Sequence, residues 1–73
     1  MIKVDFYMDD WSEISKAIIF KNNNPNNPPV ETVQEARELI KNSNVLYFCS
    51  KYVQGNLITS KITEYLIDDD IVE

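Results

Sequence analysis

Residues Lys21 to Val30 read KNNNPNNPPV, with five asparagines and three prolines in one uninterrupted run. Proline fixes φ and lacks an amide hydrogen, and asparagine bonds to its own local backbone, so this run can supply neither a helix nor a sheet ladder. It is read as a loop, either a mobile connector or a functional segment. A chain of 73 residues has room for one small domain, whose folding buries only about 60% of the surface of its unfolded chain.

Before the loop, Ile2-Lys3-Val4-Asp5-Phe6-Tyr7-Met8 alternates strictly. Ile2, Val4, Phe6 and Met8 share one face and Lys3, Asp5 and Tyr7 the other, the pattern of a half-buried strand. Asp9-Asp10 is polar enough to turn the chain. A second strand is expected to follow, with Ile14, Ile18 and Phe20 on one side and Ser15, Ala17 and Ile19 on the other. A short helix capped by Asp10, with Trp11, Ile14, Ala17 and Ile18 as its stripe, is the competing reading.

After the loop, Thr32-Val33-Gln34-Glu35 has capping-box spacing, so a helix starts there with Val33, Ala36, Leu39 and Ile40 facing inward. Asn42-Ser43-Asn44 can end it, since asparagine tolerates the left-handed backbone common just past a helix. Val45 to Val53 is rich in aromatic and β-branched residues and reads as a strand with Leu46, Phe48 and Tyr52 on one face. The only glycine, Gly55, suggests a two-residue Gly55-Asn56 turn. Residues 57 to 66 then return as a strand with Ile58, Ile62 and Leu66 inward, against a competing helix from Ser60. The predicted fold is α+β: one domain, 1–73, in ββαββ order, whose two hairpins make an antiparallel sheet with one helix on one face.

Absences narrow the chemistry. With no histidine and one cysteine, neither a Ser-His or Cys-His pair nor a structural zinc site can be built within one chain. One glycine is too few for a Walker or dinucleotide phosphate loop. Cys49, within a strand and facing opposite Phe48, reads as a packed or semi-exposed structural thiol and not as a nucleophile. Carboxylates alone could catalyse, and a paired acid site needs a cleft and a raised pKa that so thin a core does not readily supply. The expectation is a protein that is not an enzyme and carries no cofactor and no metal.

Charge points elsewhere. Twelve acidic against seven basic residues give a net charge of -5. Nucleic-acid binding begins with phosphate neutralisation by Lys and Arg, so direct binding has the wrong sign. An acidic field steers toward basic partners, including the nucleic-acid-binding faces of other proteins. Two acidic clusters stand out: Asp5, Asp9, Asp10 and Glu13 around Trp11, and Glu64, Asp68, Asp69, Asp70 and Glu73 near the C-terminus. The triplet Asp68-Asp69-Asp70 has three readings. As a metal site it converges poorly, because alternate strand residues point to opposite faces. As a charged strand end it would discourage pairing with neighbours. As part of a partner-binding surface it would join Asp9, Asp10, Trp11, Glu13, Glu64 and Glu73, with the indole as anchor or, equally, as a core residue.

The lone cysteine excludes an internal disulfide, and the N-terminal residues lack a basic segment followed by a long apolar run, so a cytoplasmic address and no membrane span are expected. Ile, Asn and Lys number 9, 8 and 6; all have AT-rich codons, which suggests a low-GC bacterium or a phage or mobile element within one. Size and acidity are similar to those of phage-encoded inhibitors that imitate DNA and of bacterial immunity proteins, a likeness of composition without a shared motif. The functional expectation is an acidic interaction protein, DNA-mimic-like, that inhibits a basic nucleic-acid-binding protein or nuclease. The alternative is an assembly module that self-associates, as a homodimer for instance, through a sheet edge, its acids serving solubility.

Overall fold

A computed structural model describes residues 2–69. The chain forms β1 (Ile2–Met8), β2 (Glu13–Ile19), α1 (Val33–Asn42), β3 (Val45–Cys49), β4 (Gln54–Ile58) and β5 (Ile62–Asp69), with single 3-10 turns at Lys21–Asn23 and Thr59–Lys61. The fold is α+β, as expected, but the order is ββαβββ: the sheet has five antiparallel strands arranged β4-β3-β2-β1-β5. The segment predicted as one returning strand, 57–66, is split by the turn at Thr59–Lys61. Its two halves lie at opposite edges of the sheet.

That split requires curvature. From Ile58 to Ile62 the chain can reach at most ~14 Å, whereas four strand spacings in a flat sheet cover ~19 Å. The sheet must curl to bring the β4 side toward β1, and Asp9 N–H donating to Lys61 O at 2.8 Å fastens the crossing segment there. A bulge in β2 contributes. Val4 pairs with Ala17 but Phe6 with Ile14, so β2 carries one extra residue. Lys16 absorbs it at φ 54, and its N–H donates to Asp5 Oδ1 at 2.7 Å. An extra residue bends the strand and increases its twist.

The bulge also reverses the faces. Ile14 packs inward, and beyond Lys16 it is Ala17 and Ile19 that are buried. This corrects the expectation that Ile18 and Phe20 continue the face of Ile14. A second extra residue, Thr63, does the same in β5: Tyr7 pairs with Glu64 and Met8 with Ile62. The Thr63 hydroxyl donates to Tyr7 O at 3.0 Å. Ile62, Tyr65 and Ile67 consequently pack on the core while Leu66, expected inward, is exposed; Ile58, also expected inward, is exposed because it lies in β4, where Leu57 takes the buried face.

The alternation read in β1 holds: Ile2, Val4 and Phe6 are buried. They meet Ala36 and Ile40 of α1, Leu46 and Phe48 of β3, Leu57 of β4, and Val30. Thr32 caps α1, its Oγ1 accepting from Glu35 N–H at 3.1 Å. Glu35 Oε1 reaches back to the N–H of Glu31, at 3.2 Å, one residue before the cap. The helix stops at Asn42 without a left-handed residue, because Ser43 is extended. Thr59 takes over the local carbonyls instead, its hydroxyl donating to Ser43 O at 2.6 Å and its N–H to Asn44 O at 3.0 Å.

The Asn/Pro segment does form local structure. Asn22 and Asn23 turn the chain at φ 58 and 55, and Phe20 bridges to Pro29. Asn23 Oδ1 accepts from Tyr47 N–H at 3.4 Å, and its Nδ2 donates to Ser43 Oγ at 2.9 Å. A side-chain amide thus stands where a strand neighbour of β3 would be. The turn between β3 and β4 is also displaced from its predicted place. Lys51 and Tyr52 form it, closed by Ser50 N–H donating to Val53 O at 2.7 Å, while Gly55 lies within β4 opposite Phe48. Tyr52, expected on the inward face, is 85% exposed. Among the described residues no helix is long and apolar enough to cross a membrane.

Candidate partner-binding surface

The β1–β2 connection decides what the acidic clusters can do together. Met8 N–H donates to Ser12 O at 2.9 Å and Trp11 N–H to Met8 O at 3.1 Å, which closes a three-residue loop of Asp9, Asp10 and Trp11. In such loops the third residue adopts the left-handed conformation that glycine occupies at least cost. Here that residue is Trp11, at φ 71. A side chain in this region costs about 1–2 kcal/mol. The indole gains no burial in return, being 97% exposed, so Trp11 is not a core residue of this fold.

Asp10 holds the loop in shape. Its Oδ1 accepts from the Ser12 hydroxyl at 2.6 Å and from Ser12 N–H at 3.0 Å. The hydroxyl bond first, then the backbone bond, and to a smaller extent the charge of Lys61, hold the Asp10 carboxyl below its ordinary pKa. Since the bonds go to the ionised form, the tip is charged across the neutral range.

Beneath the tip, β1 lies between β2 and β5, and Tyr7 pairs with Glu13 on one side and Glu64 on the other. Directly paired residues of antiparallel strands share a face, so both carboxylates flank the Tyr7 ring. Partial desolvation, then Glu13, Asp5 and Glu64, hold the Tyr7 phenol above its ordinary pKa. A shallow open groove of about 410 Å³ runs here, lined by Tyr7, Met8, Asp9, Trp11, Ser12, Thr63 and Glu64.

Of the residues singled out in the sequence, Asp9, Asp10, Trp11, Glu13 and Glu64 come together at this end of the sheet. Strand β5 crosses beside β1, so part of the C-terminal cluster joins the N-terminal one. Asp68 and Asp69 do not join it. They pair with Lys3 and Ile2 at the opposite end of β1, and four strand residues separate Asp68 from Glu64 by ~13 Å. Asp70 and Glu73 lie outside the described residues. Asp5 is partly committed to the Lys16 bulge. Among the described residues the one ion pair is Lys21 with Glu35, at 3.8 Å, so the tip carboxylates have no internal cation within bonding distance. No three of them converge to hold a metal ion among the described residues.

Sequence reasoning missed Ser12 and Thr63. Ser12, two residues after Asp10, is a local signal for an Asx-type turn; Thr63 has none, because its role depends on the β1–β5 register. No family model, curated protein or solved structure matches the chain.

Proposed function

We propose that the protein is a non-enzymatic interaction module that blocks a basic nucleic-acid-binding protein, with the β1–β2 tip as its docking point. The observation that carries this reading is Trp11: a fully displayed indole on a strained backbone, beside carboxylates that form no salt bridge among the described residues. Strain of this kind persists where surrounding structure imposes it and clusters at functional sites. Trp is the residue type most enriched among interface hot spots, and a ring of like charge around it steers encounter with a basic surface. An indole face beside Asp9 and Glu64 also suits an Arg or Lys of the partner, through cation–π attraction and a carboxylate bond. Because the same partner surface would otherwise hold phosphates, occupation by this tip inhibits nucleic-acid binding.

The test is capture from the lysate of a low-GC bacterium, with elution by duplex DNA. The expected result is a basic protein retained by the wild-type chain, released by DNA and by raised salt, and lost with Trp11→Ala. A partner that resists both DNA and salt, or one retained equally by Trp11→Ala and by a variant with Asp9→Asn, Asp10→Asn, Glu13→Gln and Glu64→Gln, refutes the reading.

A further inference from the structure

The two edges of the sheet differ in a way the tip does not explain. On β5 the edge carries Glu64, Asp68 and Asp69; β4 has no charged residue, and Lys51 is the only charge between Asn44 and Ser60. Charges on an edge strand discourage pairing with other strands. The β5 edge has that protection and the β4 edge lacks it.

The backbone of β4 is set up for pairing. Ser50 N–H bonds Val53 O at one end of the β3–β4 hairpin, and Thr59 N–H bonds Asn44 O at the other. Bonded and non-bonded pairs alternate in an antiparallel ladder. Phe48 with Gly55 and Leu46 with Leu57 are therefore bonded pairs. Cys49 with Gln54, Tyr47 with Asn56 and Val45 with Ile58 are not. Tyr47 N–H confirms the phase by turning away from β4 toward Asn23 Oδ1. On β4 it follows that the N–H and C=O groups of Gln54, Asn56 and Ile58 point out of the sheet.

These three residues are exposed, Ile58 at 49%, and so are Val45 (47%) and Val53 (55%). Val45 and Ile58 are register partners on the outer face. At Gly55 a Cβ would meet nothing within 4 Å, so the flank of the strand is open as well.

We infer that β4 is a homodimerisation edge, in which two copies pair antiparallel about a two-fold axis at Asn56. The rungs are then Gln54 with Ile58, Asn56 with Asn56, and Ile58 with Gln54, each exchanging two backbone bonds. This places the outward groups of one copy opposite those of the other. The occupant is a second copy because charge selects it. Two chains of net charge -5 meet with least repulsion through the one uncharged edge, which leaves both acidic tips free. The inference does not depend on the function proposed for the tip.

The test is sedimentation over a concentration series, with amide hydrogen exchange read residue by residue. A single strand pair buries less than the ~1,000 Å² of a stable interface, so a reversible dimer is expected, with a dissociation constant in the micromolar to millimolar range. The amides of Gln54, Asn56 and Ile58 should gain protection as concentration rises, while those of Gly55 and Leu57 are protected throughout. Asn56→Lys puts two lysines face to face and should weaken the dimer at least about 10-fold, since directly opposed like charges destabilise a strand pair. Asn56→Pro removes an outward N–H that β3 does not use and should act in the same direction without unfolding the hairpin. Trp11→Ala should leave the mass unchanged. A chain that stays monomeric up to about millimolar concentration overturns the inference. So does a dimer that survives both Asn56 variants, or one abolished by Trp11→Ala.

Discussion

The β1–β2 and β3–β4 hairpins each hold an aromatic ring out at the tip, Trp11 at 97% and Tyr52 at 85% exposure, yet they do so by different means. The Tyr52 tip is relaxed: no residue from Ser50 to Val53 has positive φ, and the Ser50 hydroxyl bonds Val53 O at 2.9 Å. Its ring already has a cation, Lys51 Nζ lying 5.4 Å from the centroid. The Trp11 tip is strained and carries carboxylates, and among the described residues no cation lies over its ring. Exposure alone is therefore a weak indicator. What separates a displayed anchor from a surface aromatic is whether the backbone bears a cost to display it and whether the charge around it is left unmatched.

The largest expected effect tests that distinction directly. Trp11→Ala should lower partner affinity by about 2 kcal/mol or more, roughly 30-fold, while Tyr52→Ala changes it less than about twofold; titration calorimetry against the captured partner measures both. Equal losses would erase the difference between the tips. Next, Gly55→Ala should destabilise the fold by about 1–3 kcal/mol. Gly55 sits at φ 153, and since a Cβ there has open space, the loss comes from backbone strain and not from a clash. Urea denaturation should show the midpoint falling with an unchanged slope.

A smaller effect runs the other way. Trp11→Gly should stabilise the protein by about 1 kcal/mol by relieving the left-handed strain, at the same time as it abolishes binding. A variant more stable yet inactive is the signature of strain kept for function, and thermal unfolding compared with the binding assay reads it. The same substitution at Tyr52 should not stabilise, as no positive φ is relieved there.

The smallest effect is on titration. Asp10 has its folded pKa depressed by Ser12, so its contribution to the tip is present above the carboxyl's unfolded pKa and is lost as pH falls through the folded value. Ser12→Ala should move the Asp10 carboxyl back up toward its ordinary range, followed by NMR of the side-chain carbons, and tip loosening should then begin at higher pH than in the wild type. An unchanged titration would mean the hydroxyl bond does not hold the loop.

Much of the fold could be read from local pattern. The alternation of Ile2 to Met8 and the Thr32–Glu35 cap are local signals, because each is satisfied by neighbours a few residues away. The hairpin after Asp9-Asp10 was legible too, along with the presence of two acidic clusters. The faces of β2 and β5 were not. One extra residue, Lys16 or Thr63, shifts a period-two pattern to the opposite side, and nothing near it in sequence marks the shift. Gly55 drew the turn toward itself because positive φ is usually spent in turns, and here it is spent within a strand.

The sequence by itself determined that these 73 residues are acidic, that they can build neither a histidine-based site nor a glycine-rich phosphate loop, and that a strand, a loop and a capped helix follow one another. Only the tertiary structure decided that Glu13 and Glu64 share a face across Tyr7, that Asp68 and Asp69 go to the far end, and that Trp11 stands clear of the core. Composition counts charges without regard to distance, and register is a long-range quantity: β5 reaches β1 only because the sheet curls and two bulges set which side chains meet.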